Sequence, residues 1–282
     1  MVSSKPDLRQ VVAGALAEDL GDSNVDVTTI SIVDADLLGE AVVIARKPGV
    51  LSGSDAAARV FEMVRPPSEY KALVSDGARL EAGDEVARVT GSLRSILIGE
   101  RTALNFLQRL SGIATMTRRY ADALAPYPNV TLLDTRKTTP GLRFLERAAV
   151  RAGGGHNHRD GLWDAILIKD NHVAAAGSVR EAITRARKAA MPVEAEVETL
   201  EQLAEALDCG AEIVLLDNMP VEVMRQAVEI TAGRAKLEAS GGMTLEGAVA
   251  AARAGVDRIS VGALTHSAPA LDLSLEVKRT WR

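Results

Sequence analysis

Residues 193–197 read VEAEV, 213–217 IVLLD, 236–239 KLEA and 258–261 RISV. Each run is short and largely aliphatic, and an amphipathic helical pattern follows it. Corresponding positions recur every 21 to 22 residues, at Glu196, Asp217, Glu238 and Ser260. That period is the length of one strand-plus-helix unit and predicts a parallel sheet with right-handed crossovers. Upstream, Val130–Asp134 and Ala165–Lys169 have the same texture. Six strands within the 137 residues from Val130 to His266, against roughly 250 residues for a closed eight-stranded barrel, predict an incomplete, open α/β barrel of six or seven strands.

The rest of the chain has a different texture. Pro6 and Asp7 suit a helix start, Leu8, Val11, Val12, Ala15, Leu16 and Leu20 follow at helical spacing, and Gly21 ends the helix. From Glu40 to Leu97 short alternating runs, such as 41–45 and 85–90, are separated by Pro48-Gly49, Asp76-Gly77 and Gly83-Asp84, which predicts antiparallel strands. A long helix is expected over about 99–125, and residues 271–277 alternate as a half-exposed strand does. The expected organisation is an N-terminal open α/β sandwich domain over 1–115, with 270–282 returning to it, and a barrel domain over 116–269.

Hydrophobic residues make up 47% and charged residues 25% of the 282, which excludes a disordered chain. The formal charge of −5 and only eight aromatic residues argue against nucleic acid and anionic membrane as partners. The single cysteine, Cys209, forbids an intrachain disulfide and, with no signal-like or membrane-length apolar run, predicts a cytoplasmic protein. Cys209 lies in an Ala/Leu-rich stretch and reads as a small buried hydrophobe.

The charge is unevenly placed. Between Asp134 and His172 seven bases face five acids, with three of the four histidines. Arg143, Arg147 and Arg151, four apart, suit a solvated helix face. Arg136 and Lys137 after a strand end, Arg159 in a glycine-rich loop and Lys169 at a strand end suit a pocket for a multiply anionic small molecule. Zinc on His156 and His158 conflicts with the basic neighbours. Glu196 and Asp217, ending neighbouring strands, are the better cation ligands and suit Mg²⁺. Ser240-Gly241-Gly242 and Gly262 follow late strands, where barrels of this type hold phosphate. Lys169 at a strand end is also compatible with a Schiff-base lysine.

Three blocks, Asp134-Thr-Arg-Lys-Thr-Thr-Pro-Gly-Leu-Arg143, Gly153-Gly-Gly-His-Asn-His-Arg159 and Leu167-Ile-Lys-Asp-Asn-His172, resemble the signature blocks of the quinolinate phosphoribosyltransferase family. Gly99–Asn105, Leu215–Asn218, Glu238–Gly242 and Val261–His266 match in family order. The spacing between Gly21 and Asp26 departs from the family pattern, as a short insertion would, and His156 occupies a variable place. The resemblance implies transfer of phosphoribosyl from phosphoribosyl pyrophosphate to quinolinate with loss of CO₂ and with Mg²⁺. It implies that Arg136, His158, Arg159 and Lys169 hold the pyridine dicarboxylate, joined by Arg101 from the partner subunit of a homodimer, with a hexamer as the larger alternative. Lys137 would face the pyrophosphate or the reacting centre, and Glu196 and Asp217 would hold Mg²⁺ and ribose hydroxyls. Ser240, Gly241, Gly242, Gly262 and His266 would cradle the 5-phosphate.

Overall fold

The structure is a computed structural model and describes residues 7–282. The chain forms two compact units. One comprises the chain up to Arg118 with Thr138–Gly154 and Ala268–Arg282, the other Arg119–Lys137 with Gly155–Ser267.

In the first unit α1 (Leu8–Leu20) and α2 (Val27–Ile32) precede β1 (Leu38–Ala45), β2 (Gly49–Val50) and α3 (Ser54–Met63). Then come β3 (Glu69–Ala72), β4 (Arg79–Leu80), β5 (Glu85–Ser92) and α4 (Leu93–Leu124), whose last turns belong to the second unit. Asp7 caps α1 by accepting from the Arg9 amide, and Gly21 closes it. Pro6, expected in the same start, lies outside the described residues. Asp26 caps α2 by accepting from the Thr29 amide. β1 and β5 pair antiparallel, as the alternation predicts for 41–45 and 85–90. The final strand, β12 (Leu273–Trp281), pairs antiparallel with β1, giving the order β12-β1-β5-β3.

Two features depart from the sequence reading. α3 falls inside the span expected to hold strands only. Its Ala56, Ala57, Val60 and Phe61 are fully buried at helical spacing, a ten-residue pattern masked by the turns around it. α4 starts six residues before Gly99. That glycine is a packing contact within the helix, because a Cβ there would lie 2.9 Å from the Phe61 ring.

The second unit holds β6 (Thr131–Leu133), β7 (Ile166–Ile168), β8 (Val193–Val197), β9 (Ile213–Asp217), β10 (Lys236–Ser240) and β11 (Arg258–Ser260). The six lie parallel in the order β6-β11-β10-β9-β8-β7, at the positions expected. α5 (Arg143–Ala152) follows β6 in sequence but packs in the first unit, so the compact barrel lacks 138–154 of the expected 116–269. The reason is its buried Glu146, which pairs with Arg109 of α4 at 2.8 Å and accepts from Thr139. The intervening helices are α6 (Asp170–Ala176), α7 (Val179–Ala186), α8 (Leu200–Asp208), α9 (Val221–Thr231), α10 (Leu245–Ala254) and α11 (Ala263–His266). Cys209 caps the end of α8 and is half-buried rather than buried.

β6 and β7 do not pair with each other, which leaves the barrel open. Between them in sequence, His156 makes an isolated parallel bridge to Leu133. Its N–H donates to the Leu132 carbonyl at 2.8 Å, and the Asp134 N–H donates to its own carbonyl at 3.1 Å. This single bridge lies at the β6 edge of the sheet, where a seventh strand would pair. Strand alternation sends Ala195, Val197, Val214, Leu216, Leu237 and Ala239 into the apolar core, all at 2% exposure or less. The opposite face carries Glu194, Glu196, Asp217 and Glu238. The barrel is polar inside.

Candidate active site

A cavity of about 490 Å³ opens within the barrel unit, where each strand end contributes a polar group. Arg136 and Lys137 follow β6, Lys169 follows β7, Glu196 lies on β8, Asp217 ends β9, Ser240 ends β10 and Ser260 ends β11. His158 and Arg159 line the cavity from the loop after the His156 bridge, and Gly241 and Gly242 line it beyond β10. The register explains the grouping: Glu196 aligns with Leu215 and Glu238 in one layer, while Asp217 aligns with Ser240 one step nearer the strand ends.

Three expected residues stand outside that lining. Gly262 and His266 adjoin it: a Cβ on Gly262 would lie 3.1 Å from His266 Nε2 and 3.2 Å from Lys137 Cδ, and Thr265 Oγ1 donates to the Lys137 carbonyl at 2.8 Å. Arg101 lies on α4 in the first unit and is exposed.

Asp134, fully buried, organises the loop that brings in His158. It accepts from the His158 amide at 2.7 Å and from Asn157 Nδ2 at 2.6 Å. Arg159 donates from Nη1 to the Ala165 carbonyl at 2.9 Å. Burial first, then Arg136 beside it, pulls the Arg159 guanidinium below its ordinary value, yet it stays charged. Arg136, Lys137, Arg159 and Lys169 line the same cavity with three acids, Glu196, Asp217 and Glu238, so cations outnumber carboxylates there and an added anion lowers their mutual repulsion. Lys169 Nζ meets Glu196 Oε2 at 2.6 Å, with the lysine side chain 47% exposed. The lysine end of the pair is open to solvent, so Lys169 can exchange Glu196 for another anion, while Glu196 itself is largely buried.

The sequence reading missed the charges behind His158. Its Nε2 lies 3.1 Å from Glu194 and 3.3 Å from Glu238, both buried, and Arg258 Nε lies 2.8 Å from Glu238. Ser260 Oγ donates to Glu238. Burial alone would lower the imidazole, but hydrogen bonds and charge from the two glutamates outweigh it and push His158 up to about 9. One contact opposes this, since the Arg159 amide donates to Nδ1 at 2.7 Å and so calls for a neutral ring. Magnitudes decide: an uncompensated buried carboxylate costs about 3–5 kcal/mol, against about 1 kcal/mol for one neutral hydrogen bond. The imidazolium balances the group, two cations against two anions.

His158, Glu194 and Glu238 offer ligand atoms within 4.8 Å of one another and have the donor types of a metal site. Arg258 against Glu238 makes them an ion network instead. Glu196 and Asp217 fit a hard cation better. Both line the cavity, and each has one carboxylate oxygen engaged, by Lys169 and by Asn218 respectively, which leaves the other available to a ligand. Glu194 and Glu238 were signalled in the sequence after all: each shares the strand-face parity of the cavity-lining residues Glu196 and Ser240.

Residues 113–276 match the family description "Quinolinate phosphoribosyl transferase, C-terminal domain", and residues 26–111 match "Quinolinate phosphoribosyl transferase, N-terminal domain". The chain is 43% identical over 273 residues to a probable nicotinate-nucleotide pyrophosphorylase (carboxylating) of Bacillus subtilis, covering 96% of this chain and 93% of that one. It is 45% identical over 276 residues to the nicotinate-nucleotide pyrophosphorylase (carboxylating) of Mycobacterium leprae, covering 95% and 96%. The solved nicotinate-nucleotide pyrophosphorylase from Francisella tularensis superimposes with a TM-score of 0.91 at 41% identity, covering 96% of each chain.

Proposed function

The chain belongs to the quinolinate phosphoribosyltransferase family, and from that premise we propose how its barrel cavity works. The reaction is transfer of phosphoribosyl from phosphoribosyl pyrophosphate to quinolinate with decarboxylation, giving nicotinate mononucleotide, pyrophosphate and CO₂, a step of NAD biosynthesis. The observation that carries the reading is the cavity's composition: Arg136, Lys137, Arg159 and Lys169 stand opposite no equal number of acids, beside a glycine-rich strand end. A substrate pair bearing carboxylates, pyrophosphate and phosphate matches it.

Arg136 and Arg159, with cationic His158 and Lys169, hold the pyridine dicarboxylate. Lys137 faces the pyrophosphate. Ser240, Gly241, Gly242, Gly262 and His266 hold the 5-phosphate, where the three glycines, lacking a Cβ, let an oxyanion approach the backbone. Glu196 and Asp217 would hold Mg²⁺, which when bound would supply positive charge to balance a pyrophosphate leaving group. The C1–oxygen bond of the ribose breaks with its electron pair leaving on pyrophosphate, and the pyridine nitrogen forms the new bond to C1. Glu196 and Asp217 offset the positive charge that develops on the ribose, and Lys137 stabilises the negative charge that leaves. When the adjacent carboxylate then departs as CO₂, the bonding pair stays on the ring carbon, stabilised there by the neighbouring cationic nitrogen, and that pair takes a proton from solvent.

A forked guanidinium on the departing carboxylate would oppose its loss. The arginines therefore clamp the retained carboxylate and Lys169, already in an exchangeable pair, meets the one that leaves. The active unit is a homodimer in which the exposed Arg101 enters the partner's cavity. No described helix is long and apolar enough to cross a membrane, and the lone Cys209 suits a reducing cytoplasm.

Incubation with quinolinate, phosphoribosyl pyrophosphate and Mg²⁺ is expected to yield nicotinate mononucleotide, with nicotinate as a parallel substrate giving none. Absence of product from quinolinate overturns the reading. In the same assay Arg136→Ala is expected to weaken quinolinate binding, while Lys169→Ala slows CO₂ release relative to binding. Identical defects sink the division of labour between them.

A further inference from the structure

Asn218 directly follows Asp217 at the end of β9, is exposed, and takes φ 53 in the left-handed region. Asparagine is among the few side chains that tolerate this region. The conformation turns its backbone N–H to the Ser240 carbonyl at 3.0 Å and its Nδ2 to Asp217 Oδ2 at 2.8 Å. A Cβ on Gly241 would lie 2.2 Å from Asn218 Oδ1 and 2.8 Å from its N. The amide therefore occupies space that exists because Gly241 has no side chain. Since Asp217 aligns with Ser240 across β9 and β10, one side chain is lodged between a carboxylate and a glycine-rich strand end.

We infer that Asn218 is a positioning residue for the phosphoribosyl pyrophosphate half of the site. It fixes Asp217 by one oxygen, leaving the other for a cation or ribose hydroxyl, and it backs the Ser240–Gly241–Gly242 loop. This rests on the phosphoribosyl-transfer reading above. A carboxylate held by an outer hydrogen bond keeps its orientation when the ligand arrives, and loss of such a partner costs on the order of 10-fold or more in affinity or activity. The contacts of Asn218 run to Asp217, Ser240 and Gly241, and none runs to the basic residues assigned to the pyridine.

Two variants of the full chain test it. Asn218→Gly deletes the amide and keeps the backbone, because glycine takes left-handed φ freely. Asn218→Asp keeps the size and removes the donor. Calorimetric binding of phosphoribosyl pyrophosphate with Mg²⁺, calorimetric binding of quinolinate, both KM values and the thermal midpoint are measured on each. Both variants are expected to weaken phosphoribosyl pyrophosphate binding and raise its KM on the order of 10-fold, with quinolinate binding and the midpoint unchanged. Wild-type-like phosphoribosyl pyrophosphate binding by Asn218→Gly overturns the inference, as does equal weakening of both substrates with a lowered midpoint. If one variant fails to fold, the other gives the same readout. Failure of the functional reading is separable, because the wild-type chain would then make no nicotinate mononucleotide.

Discussion

A charged side chain in a barrel interior stays charged only if its neighbours balance it, and His158 is the residue where that balance has a measurable consequence. Glu194, Glu238 and Arg258 surround it, the Arg159 amide faces its other nitrogen, and its folded value of about 9 stands above the ordinary 6.5. A group raised on folding contributes stability that is fully present below pH 6.5 and lost as pH rises through about 9. Denaturant unfolding of the wild type and of His158→Gln should therefore differ most at about pH 6, and the difference should shrink toward about pH 9.5. A difference independent of pH would show that the ring is neutral in the fold. The basic residues Arg136, Lys137, Arg159 and Lys169 were legible in the sequence, because cations at strand ends stand out in an acidic chain. For Glu194 and Glu238 the strand-face parity was legible but their pairing with His158 was not, because a carboxylate buried against a histidine looks in sequence like any alternating strand acid.

At the scale of elements, strands and helices with strong periodicity were read correctly, whereas α3 and the single His156 bridge were not. The four late strands repeat every 21 to 22 residues, so the parallel sheet was legible before any contact was known. The His156 bridge was invisible, since one residue has no period. α3 was obscured by the turns that flank it; the helix carrying Arg143, Arg147 and Arg151 was legible, but its packing in the first unit rests on a buried ion pair, Glu146 with Arg109, that no local pattern announces. Element ends also carry strain that can be relieved. α9 closes on Ala232, exposed at φ 47, one residue before Gly233 at φ 76. Left-handed alanine costs about 1–2 kcal/mol and glycine loses about 0.5–1 kcal/mol of that advantage to chain entropy. Ala232→Gly is expected to stabilise the protein by roughly 0.5–1 kcal/mol, read as a higher denaturation midpoint with unchanged activity. A lowered midpoint would contradict it.

For the whole molecule, the net charge of −5 is an average over unlike regions: a cationic cavity lies inside an acidic protein. The proposed dimer makes a prediction at this scale. Arg101→Ala and Lys169→Ala should each be nearly inactive alone, since each removes a cation from every cavity. Mixed and allowed to exchange subunits, they should regain activity, because one cavity of each mixed dimer then carries both native residues. No recovery despite demonstrated exchange would place Arg101 in the site of its own subunit or outside any site. What the sequence by itself determined is the strand-helix rhythm and which polar residues stand at successive strand ends, because periodicity and alternation are local properties of a chain. Only the tertiary structure decided that Glu194, Glu238 and Arg258 converge on His158, and that Asn218 meets Gly241. Such pairings join residues tens of positions apart, and their energy comes from burial and charge balance that exist only once the strands lie side by side.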